Sequence, residues 1–441
     1  MNRIIKRRTF LKQAVVTGAG VMVLRSGLLA AGKSPSDKLN IAVVGCGGRG
    51  WGDLQGVRSE NIVALCDVNS KNLAKAAKAF PDAKTHEDWR KCLEQKDIEA
   101  VVCATTDHTH AFVNVWALNR GFHVYCEKPL ANSVEEARMV RSKYLQKKGK
   151  IATQMGTQIH ASDNYRRIVE LIRGGAVGKV TDCHVWCSRM PKGGSYLPEA
   201  GPAPDYINWD LWIGPSKMHP YNPGYFPGGC LGWNIFWDFG SGQIGDMGSH
   251  MMDMAYWPLG LKDPTSCKAE GSEQSTDTVP TWLKVEWEHP ANEWRDAIKV
   301  YWYDGGKLPG FPMKIISREE ALKGRGMLIR GDKGWLLCDY DYWILRNSGD
   351  MTDVKLPKKE DQIPPSPGHH KEWITACKTG SPTGCNFDYS GALIEANMLA
   401  LVAYRTGKPL QWDSKNLKAT NCPEADQYIK KTYREGWVLD G

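Results

Sequence analysis

The feature that most constrains the fold is a regular alternation of apolar runs and helix-forming stretches between residues 39 and 155. The apolar runs read LNIAVVG, NIVALCDV, IEAVVCAT, FHVYCE and KIATQMG. Between them lie stretches such as SKNLAKAAKAF and SVEEARMVRSKYLQKKG. Strands that are apolar throughout and alternate with helices are typical of a parallel sheet covered on both faces. The sequence therefore predicts an α/β fold for its N-terminal part.

The chain changes character after Gly156. A helix is predicted over residues 162–173, and the strand KVTDCHVWCSR follows it. A region rich in Gly, Pro and Trp comes next. Beyond it, TWLKVEWEH and AIKVYWYDG alternate apolar and polar residues, as antiparallel strands do. A chain of this length suggests two domains, which we place at residues 38–155 and 156–441.

Residues 1–31 have the order of a twin-arginine export signal. The stretch KRRTFLKQ precedes the short apolar run AVVTGAGVMVL, and the small residues LLAAG follow. This order is typical of a removable signal rather than of a spanning helix. We expect export of the folded protein to the periplasm or another extracytoplasmic space, with the membrane contacted only through this segment.

Most of the positive net charge of the chain lies in that signal. The formal net charge is +8, and the signal carries six Lys or Arg residues and no Asp or Glu, so its removal leaves +2. A nearly neutral mature chain offers no extended basic surface for a polyanion. We therefore expect no nucleic-acid partner.

The cysteines fit a protein that folds in a reducing compartment. There are 13, an odd number with irregular spacing, and no CxxC pair occurs. Cys66, Cys103 and Cys126 lie inside apolar runs, where cysteine acts as a small buried hydrophobe. We expect no disulfide framework and no cysteine zinc site.

A glycine-rich turn directly follows the first predicted strand. Gly45, Gly47 and Gly50 have the GxGxxG spacing, with Gly48 and Arg49 between them. The first glycine permits a tight turn, the second lets the backbone approach a pyrophosphate, and the third lets the next helix pack closely. The N-terminus of that helix attracts phosphate. This turn predicts a dinucleotide site.

Asp67 ends the second predicted strand, 17 residues after Gly50. A carboxylate at this place can accept hydrogen bonds from the adenosine ribose. Its charge would repel a 2′-phosphate, so NAD is favoured over NADP. Ser70 and Lys71 lie just beyond and could soften that preference.

The fifth apolar run ends in Glu127, Lys128 and Pro129. The carboxyl edge of a parallel sheet is where such folds bind ligands. A lysine there can reach both a cofactor and a substrate hydroxyl, and it can stabilise negative charge on that oxygen. The alternative is a surface lysine at a turn.

The stretch GQIGDMGSHMMDMAYW places Asp246 and His250 four residues apart, on one face of a helix. A histidine with a pKa near neutrality can take a hydroxyl proton as hydride leaves carbon, and Asp246 could orient its ring. Two alternatives remain. Asp246, His250 and Asp253 could bind a metal ion, or these groups could be satisfied polar side chains of a core helix.

Together these motifs resemble the Gfo/Idh/MocA oxidoreductase family. The resemblance rests on the glycine turn, ATTDHTHA, CEKPL and DMGSH, and it extends over NWDLWIGPS and HHKEWITACKTG. It implies a Rossmann domain followed by an α/β domain with a large open, mainly antiparallel sheet. It also implies that Lys128, Asp246 and His250 serve catalysis, without a metal ion.

The same resemblance implies the cofactor-binding residues and their geometry. The ATTDHTH loop is similar to family loops beside the nicotinamide, and Pro129 is expected to be cis. The expected cofactor-binding set is Gly45, Gly47, Gly48, Arg49, Gly50, Asp67, Thr105, Thr106, His110, Glu127 and Lys128.

Substrates of the family are sugars, sugar derivatives and cyclic polyols, and its members are often homo-oligomers. Independently, four tryptophans near DMGSH could stack on a sugar ring, although most are expected to be packing residues. These are Trp209, Trp212, Trp233 and Trp237.

The resulting hypothesis is an NAD(P)-dependent oxidoreductase that acts on a sugar, glycoside or cyclic polyol hydroxyl. An NAD-dependent glycoside hydrolase or lyase could use the same oxidation transiently, followed by elimination and re-reduction. A non-catalytic sugar sensor is a third possibility. Folding before export would let the protein load its nucleotide in the cytoplasm, so we expect tight binding.

Overall fold

The computed structural model describes residues 37–310, 324–347 and 354–441. The predicted export signal, residues 1–31, lies outside the described residues. Within the described part of the chain, none of the helices combines the length and the apolar character that crossing a membrane requires.

The N-terminal half is built on a six-stranded parallel sheet. Its strand order, β3-β2-β1-β4-β5-β6, is that of a Rossmann fold, as predicted. The strands are β1 (Asn40–Val44), β2 (Asn61–Cys66), β3 (Lys84–His86), β4 (Ala100–Cys103), β5 (His123–Cys126) and β6 (Thr153–Met155). The helices are α1 (Gly48–Gly56), α2 (Ser70–Ala79), α3 (Trp89–Cys92), α4 (Asp107–Asn119) and α5 (Val134–Gln146).

The second half is built on a nine-stranded sheet in the order β13-β12-β11-β7-β10-β9-β8-β14-β15. Among the described strands of this sheet, only β7 and β10 pair in parallel, so the sheet is mainly antiparallel, as predicted. The strands are β7 (Val180–Cys187), β8 (Ser266–Gly271), β9 (Leu283–His289), β10 (Ile298–Tyr303), β11 (Arg325–Gly331), β12 (Gly334–Cys338), β13 (Trp343–Asn347), β14 (Leu410–Asp413) and β15 (Lys418–Ala419).

Helices cover one face of this second sheet and join it to the first. They are α6 (Asp163–Arg173), α7 (Trp209–Ile213), α8 (Cys230–Trp233), α9 (Gly242–Met251), α10 (Asp253–Leu259), α11 (His369–Thr379), α12 (Phe387–Thr406) and α13 (Asp426–Ile429). Short 3₁₀ turns lie at Gln158–Ala161, Pro223–Tyr225, Lys359–Asp361 and Pro423–Ala425. One apolar core extends through both halves, because α12 packs on α5 of the first half and on β8 of the second.

All 13 cysteines lie within the described residues, and each carries a free thiol, as predicted. Most are buried in apolar surroundings, among them Cys66, Cys103 and Cys126. Burial raises the pKa of Cys187 to about 11. Such thiols behave as packing residues rather than as reactive groups.

Candidate active site

The glycine turn lies between β1 and α1, at the carboxyl edge of the first sheet. Gly45 has φ of +87°, and its N–H donates a 2.8 Å hydrogen bond to the Cys66 carbonyl oxygen. A Cβ atom at Gly45 would clash with the Ala104 carbonyl, and one at Gly50 would clash with the Gly45 carbonyl. The chain therefore needs glycine at both positions to bring the first turn of α1 next to β1.

Asp67 lies beside this turn. Its carboxylate accepts hydrogen bonds of 2.8 Å from the backbone N–H groups of Cys46 and Asn69. Burial raises the pKa of Asp67, although these hydrogen bonds oppose the shift. The carboxylate thus connects the glycine turn to the end of β2, which is where the sequence predicts the ribose site.

A cavity of about 560 Å³ opens along this edge and extends to the second half of the molecule. It lies within the size range of small-molecule and cofactor sites. Eleven of the 13 predicted site residues line it: Gly45, Gly47, Gly48, Arg49, Asp67, Thr105, Thr106, His110, Glu127, Lys128 and Asp246.

Two predicted residues do not line the cavity. Gly50 packs beneath the turn, against the carbonyl of Gly45. His250 lies one turn beyond Asp246 in α9 and is not among the residues of the cavity wall. Gly50 therefore shapes the turn without lining the cavity, and His250 lies outside the set of lining residues.

Lys128 and Asp246 form an ion pair between the two halves of the molecule. The second carboxylate oxygen of Asp246 accepts a 3.0 Å hydrogen bond from Nη1 of Arg189. Burial alone would lower the pKa of Lys128, but the charge of Asp246 and the hydrogen bond to it raise it overall. Burial would raise the pKa of Asp246, and Lys128 lowers it overall. Both groups are therefore charged at neutral pH.

This arrangement corrects two expectations about His250. The carboxylate oxygens of Asp246 face Lys128 and Arg189, so they do not orient the imidazole by a hydrogen bond. Burial, followed by the charge of Lys128, lowers the pKa of His250 to about 3, far from neutrality. Within the described residues, its Nδ1 atom has no hydrogen-bond partner. His250 is a neutral, partly buried imidazole at pH 7.

The metal alternative receives no support from this geometry. Asp253 does not face Asp246 and His250; its carboxylate contacts Nδ1 of His160 at 3.0 Å and accepts a hydrogen bond from Tyr389. The reason is local: a new helix, α10, begins at Asp253, so the i+7 spacing does not continue along one helix face.

Glu127 is held by Arg49 and Gln158. Nε of Arg49 donates to its carboxylate at 3.1 Å, and the amide of Gln158 donates at 2.6 Å. Burial and the nearby Asp53 raise the pKa of Glu127 to about 8. Gly156 leaves the space for this carboxyl group, because a Cβ there would overlap it.

His110 connects two loops of the cavity wall. Its ring nitrogens lie 2.7 Å from the Pro129 carbonyl oxygen and 3.1 Å from that of Thr105. Burial lowers the pKa of His110 to about 4, so the ring is neutral and donates to one of these oxygens. The Lys128–Pro129 peptide is cis, as the resemblance implied. His110 therefore positions the loop that carries Lys128.

Several lining residues were missed by the sequence analysis. Asp107 belongs to the ATTDHTH motif, which was a usable signal, and burial raises its pKa well above the usual range. Asn234 is buried, and neither amide atom has a partner among the described residues. Neither Asn234 nor Asn72, which lies in α2 close to Gly47, belongs to a motif that would have identified it.

The four tryptophans divide evenly between lining and packing, rather than most of them packing. Trp212 and Trp233 line the cavity. Trp209 stacks on Trp212, with ring centroids 4.6 Å apart and planes at 11°. Trp237 lies apart from the cavity, and its indole N–H donates to the Ser275 carbonyl.

The residues of this site fit a dinucleotide. Side chains at Gly45 and Gly50 would clash with the backbone around the turn, the N-terminus of α1 adjoins it, and Asp67 lies at the end of β2. Lys128 and Asp246 lie in the wall of the same cavity, where a nicotinamide ring and a substrate would meet.

Sequence comparison agrees with this geometry. Residues 39–156 match an oxidoreductase family with an NAD-binding Rossmann fold, and residues 179–439 match the C-terminal alpha/beta domain of the same family. The chain belongs to the Gfo/Idh/MocA oxidoreductase family. The two matches cover most of the sequence, so the family resemblance seen in the motifs is confirmed.

Curated dehydrogenases are among the proteins similar to this chain. A levoglucosan dehydrogenase from Pseudarthrobacter phenanthrenivorans is 28% identical over 203 residues, which is 44% of this chain and 42% of that protein. An inositol 2-dehydrogenase from Salmonella paratyphi B is 29% identical over 164 residues, 37% of this chain and 45% of that protein. The match spans less than half the length of each relative.

Solved structures share the fold over nearly the whole described chain. The WlbA dehydrogenase from Chromobacterium violaceum, in complex with NADH and UDP-GlcNAcA, has a TM-score of 0.60 and 16% identity, with 88% of this chain and 99% of that chain covered. Levoglucosan dehydrogenase in complex with NADH has a TM-score of 0.56 and 17% identity, with 85% and 99% covered. At these identities the likeness establishes the architecture alone.

Proposed function

We propose that this protein is an NAD-dependent oxidoreductase that transfers a hydride between nicotinamide and a hydroxyl-bearing carbon of a sugar, glycoside or cyclic polyol. The observation that carries the proposal is the position of the Lys128–Asp246 pair. The pair is largely shielded from solvent, charged, and in the wall of the same cavity as the glycine turn. The names of the similar proteins, levoglucosan and inositol dehydrogenases, support this class of substrate.

Each residue has a distinct part in the proposed reaction. A bound nicotinamide would supply the hydride acceptor or donor. The ammonium of Lys128 would donate a hydrogen bond to the substrate oxygen and stabilise negative charge on it. Asp246 and Arg189 keep that ammonium charged and in place. The hydroxyl proton would pass to His250, whose ring is neutral and lies one helical turn from Asp246, once the bound substrate brings the two groups together.

The proposal is tested by purifying the protein, recording the absorbance of bound reduced nicotinamide, and following it across a panel of sugars, glycosides and inositols.

We expect Lys128→Ala to lower kcat roughly 10²–10³-fold, as removal of an oxyanion-stabilising donor does. We expect His250→Asn to lower kcat while nucleotide binding is retained. The control is Lys75→Ala, because Lys75 is exposed and contacts the Trp51 ring. Full activity of Lys128→Ala would contradict the proposed role.

A redox-neutral glycoside hydrolase or lyase is the second candidate. Residues 206–212 of the second half are hydrogen-bonded to the loop after β2, and three of them line the cavity, which favours retention of a cofactor that is reduced and reoxidised in place. The two candidates differ in stoichiometry. Accumulation of NADH with substrate supports the dehydrogenase, and bond cleavage without net NADH supports the hydrolase or lyase.

We also infer that the protein is exported folded, with its nucleotide tightly bound. The inference rests on the twin-arginine motif, on free thiols at all 13 cysteines, and on a cavity wall to which both halves of the molecule contribute. The test is the nucleotide content of protein purified from the extracytoplasmic fraction. One bound nucleotide per chain supports the inference, and nucleotide-free protein contradicts it.

We further propose a homo-oligomer that uses the second sheet. The face of this sheet opposite the main core carries flat aromatic groups. There, the rings of His184 and Tyr301 stack with centroids 4.5 Å apart and planes at 6°. Sedimentation of the mature chain tests the proposal, and a monomer at micromolar concentration would contradict it.

A further inference from the structure

A segment of the second half lies directly against the first half at the end of β2. We call residues 206–212 the roof segment. The N–H of Ser70 donates a 2.9 Å hydrogen bond to the Tyr206 carbonyl, and the N–H of Asn208 donates a 2.9 Å hydrogen bond to the Val68 carbonyl. Between them, Asn69 and Ile207 form an antiparallel bridge. The roof segment is therefore attached to the loop that follows Asp67.

The roof segment forms part of the cavity wall. Ile207, Leu211 and Trp212 line the cavity together with Asp67 and the loop that follows it. If the proposed function holds, this end of the cavity receives the adenosine ribose, because Asp67 ends β2. The second half of the molecule thus contributes a wall to the ribose end of the site.

Tyr206 also contacts the side chain of Lys71. The Nζ atom lies 3.5 Å from the centre of the Tyr206 ring, a distance at which an ammonium is attracted to the ring face. The backbone N–H of Ser70 and the ammonium of Lys71, which could both donate to a 2′-phosphate after Asp67, are therefore engaged. The N–H of Ser70 is bound to the Tyr206 carbonyl, and the ammonium of Lys71 is held over the Tyr206 ring.

We propose that Tyr206 is a specificity-determining residue that makes the site select NAD over NADP. A 2′-phosphate would meet the Asp67 carboxylate without a cation to neutralise it, because Tyr206 holds Lys71 away. The ribose hydroxyl of NAD needs no cation. This inference rests on the proposed function, since it assumes that the cavity binds a nicotinamide dinucleotide.

The experiment measures the dissociation constants of NADH and NADPH by the change in nicotinamide fluorescence, on folded protein freed of nucleotide. We expect the wild type to prefer NADH. We expect Tyr206→Ala to tighten NADPH binding by about tenfold, because the freed Lys71 ammonium gains a charge-assisted contact with the phosphate. NADH binding should change much less.

Three further variants make the result specific. Tyr206→Phe retains the aromatic ring and should retain the wild-type ratio of the two constants. Lys71→Ala combined with Tyr206→Ala should remove the gain in NADPH affinity. Lys75→Ala combined with Tyr206→Ala is the matched control and should keep that gain, because Lys75 contacts Trp51 instead.

The possible failures are distinguishable. If Tyr206→Ala leaves the ratio unchanged, or weakens both nucleotides equally, Tyr206 is only a packing residue and the inference is overturned. If the gain in NADPH affinity persists without Lys71, the proposed mechanism of selection is wrong. If the wild type binds neither nucleotide, the proposed function itself is contradicted.

Discussion

At the scale of single residues, the Asp246 carboxylate has three candidate partners and bonds two of them. It is nine-tenths buried or more, so it is most stable where cations compensate its charge. Lys128 arrives from β5 of the first half, and Arg189 follows β7 of the second half. His250, on the same helix, is left as a neutral ring. The helical i, i+4 spacing placed the pair on one face but did not decide which contact forms.

This competition leads to a prediction for Asp246→Asn. Without the carboxylate, burial would lower the pKa of Lys128, because the charge that now outweighs burial is gone. Lys128 would then lose its proton at a lower pH. We expect activity to fall at least about tenfold at pH 7 and the alkaline limb of the pH–rate profile to move to lower pH.

The pH–rate profiles of wild type and variant provide the measurement. Asp82→Asn is the control, because Asp82 is exposed on the first half. An unchanged alkaline limb in Asp246→Asn would show that Asp246 does not hold the charge of Lys128.

At the scale of elements, the start of α5 shows how the structure changes the hydrogen bonds that a sequence motif predicts. The sequence predicts a capping box from Ser133 to Glu136 at the start of α5. Ser133 does accept a hydrogen bond from the Glu136 N–H, at 3.2 Å. The Glu136 carboxylate, however, accepts from the Asn132 N–H at 2.7 Å rather than from Ser133. The sequence therefore predicted the start of the helix. The backbone group that binds the Glu136 carboxylate depended on the conformation of the residues that precede the helix.

A buried histidine at the end of β9 gives a prediction about pH and stability. Burial lowers the pKa of His289 to about 4 in the folded protein. The unfolded chain binds a proton near pH 6.5, so acidification below that pH favours unfolding until the folded ring also titrates. This site therefore contributes stability at pH 7 that is lost between about pH 6.5 and 4.

We expect His289→Gln to have a lower free energy of unfolding than the wild type at pH 7. The difference between the two proteins should shrink by roughly 1 kcal/mol at pH 5.5, because only the wild type loses stability through protonation of His289. Urea unfolding at both values measures this, with unchanged m-values as the control that the unfolded states are alike. Burial raises the pKa of Asp304 to about 7, so this carboxyl group also makes stability depend on pH. Its effect is the same in the wild type and in the variant, so it cancels in the difference between their free energies of unfolding. A constant gap would contradict the prediction.

At the scale of the whole molecule, the C-terminal segment returns to the first half and supports the roof segment. Trp437 packs against Trp89 and Phe112, with ring centroids 6.1 and 6.3 Å apart. Nearby, Arg434 donates hydrogen bonds to two carbonyl oxygens. That of Asp210 lies within the roof segment, and that of Gly214 lies two residues beyond it. Removing the Trp437 anchor should therefore affect both stability and nucleotide retention.

We expect Trp437→Ala to lower the free energy of unfolding by about 3 kcal/mol, the lower end for a buried aromatic side chain. We also expect faster release of bound nucleotide, because Arg434 loses its support. Denaturant unfolding and nucleotide release after rapid dilution provide the two measurements. Trp294→Ala is the control, because Trp294 is 44% exposed. Slower or unchanged release in Trp437→Ala would contradict the link to the roof segment.

The sequence by itself determined the parallel sheet and the edge where most of the predicted residues meet. Each of these properties depends on local pattern: apolar runs set the strands, glycine spacing sets the turn, and the carboxyl ends of parallel strands share one edge. Only the tertiary structure decided the partners of Asp246, the lowered pKa of His250 and the contact of Tyr206 with Lys71. These depend on distance and burial between groups far apart in the chain, and no local pattern encodes them.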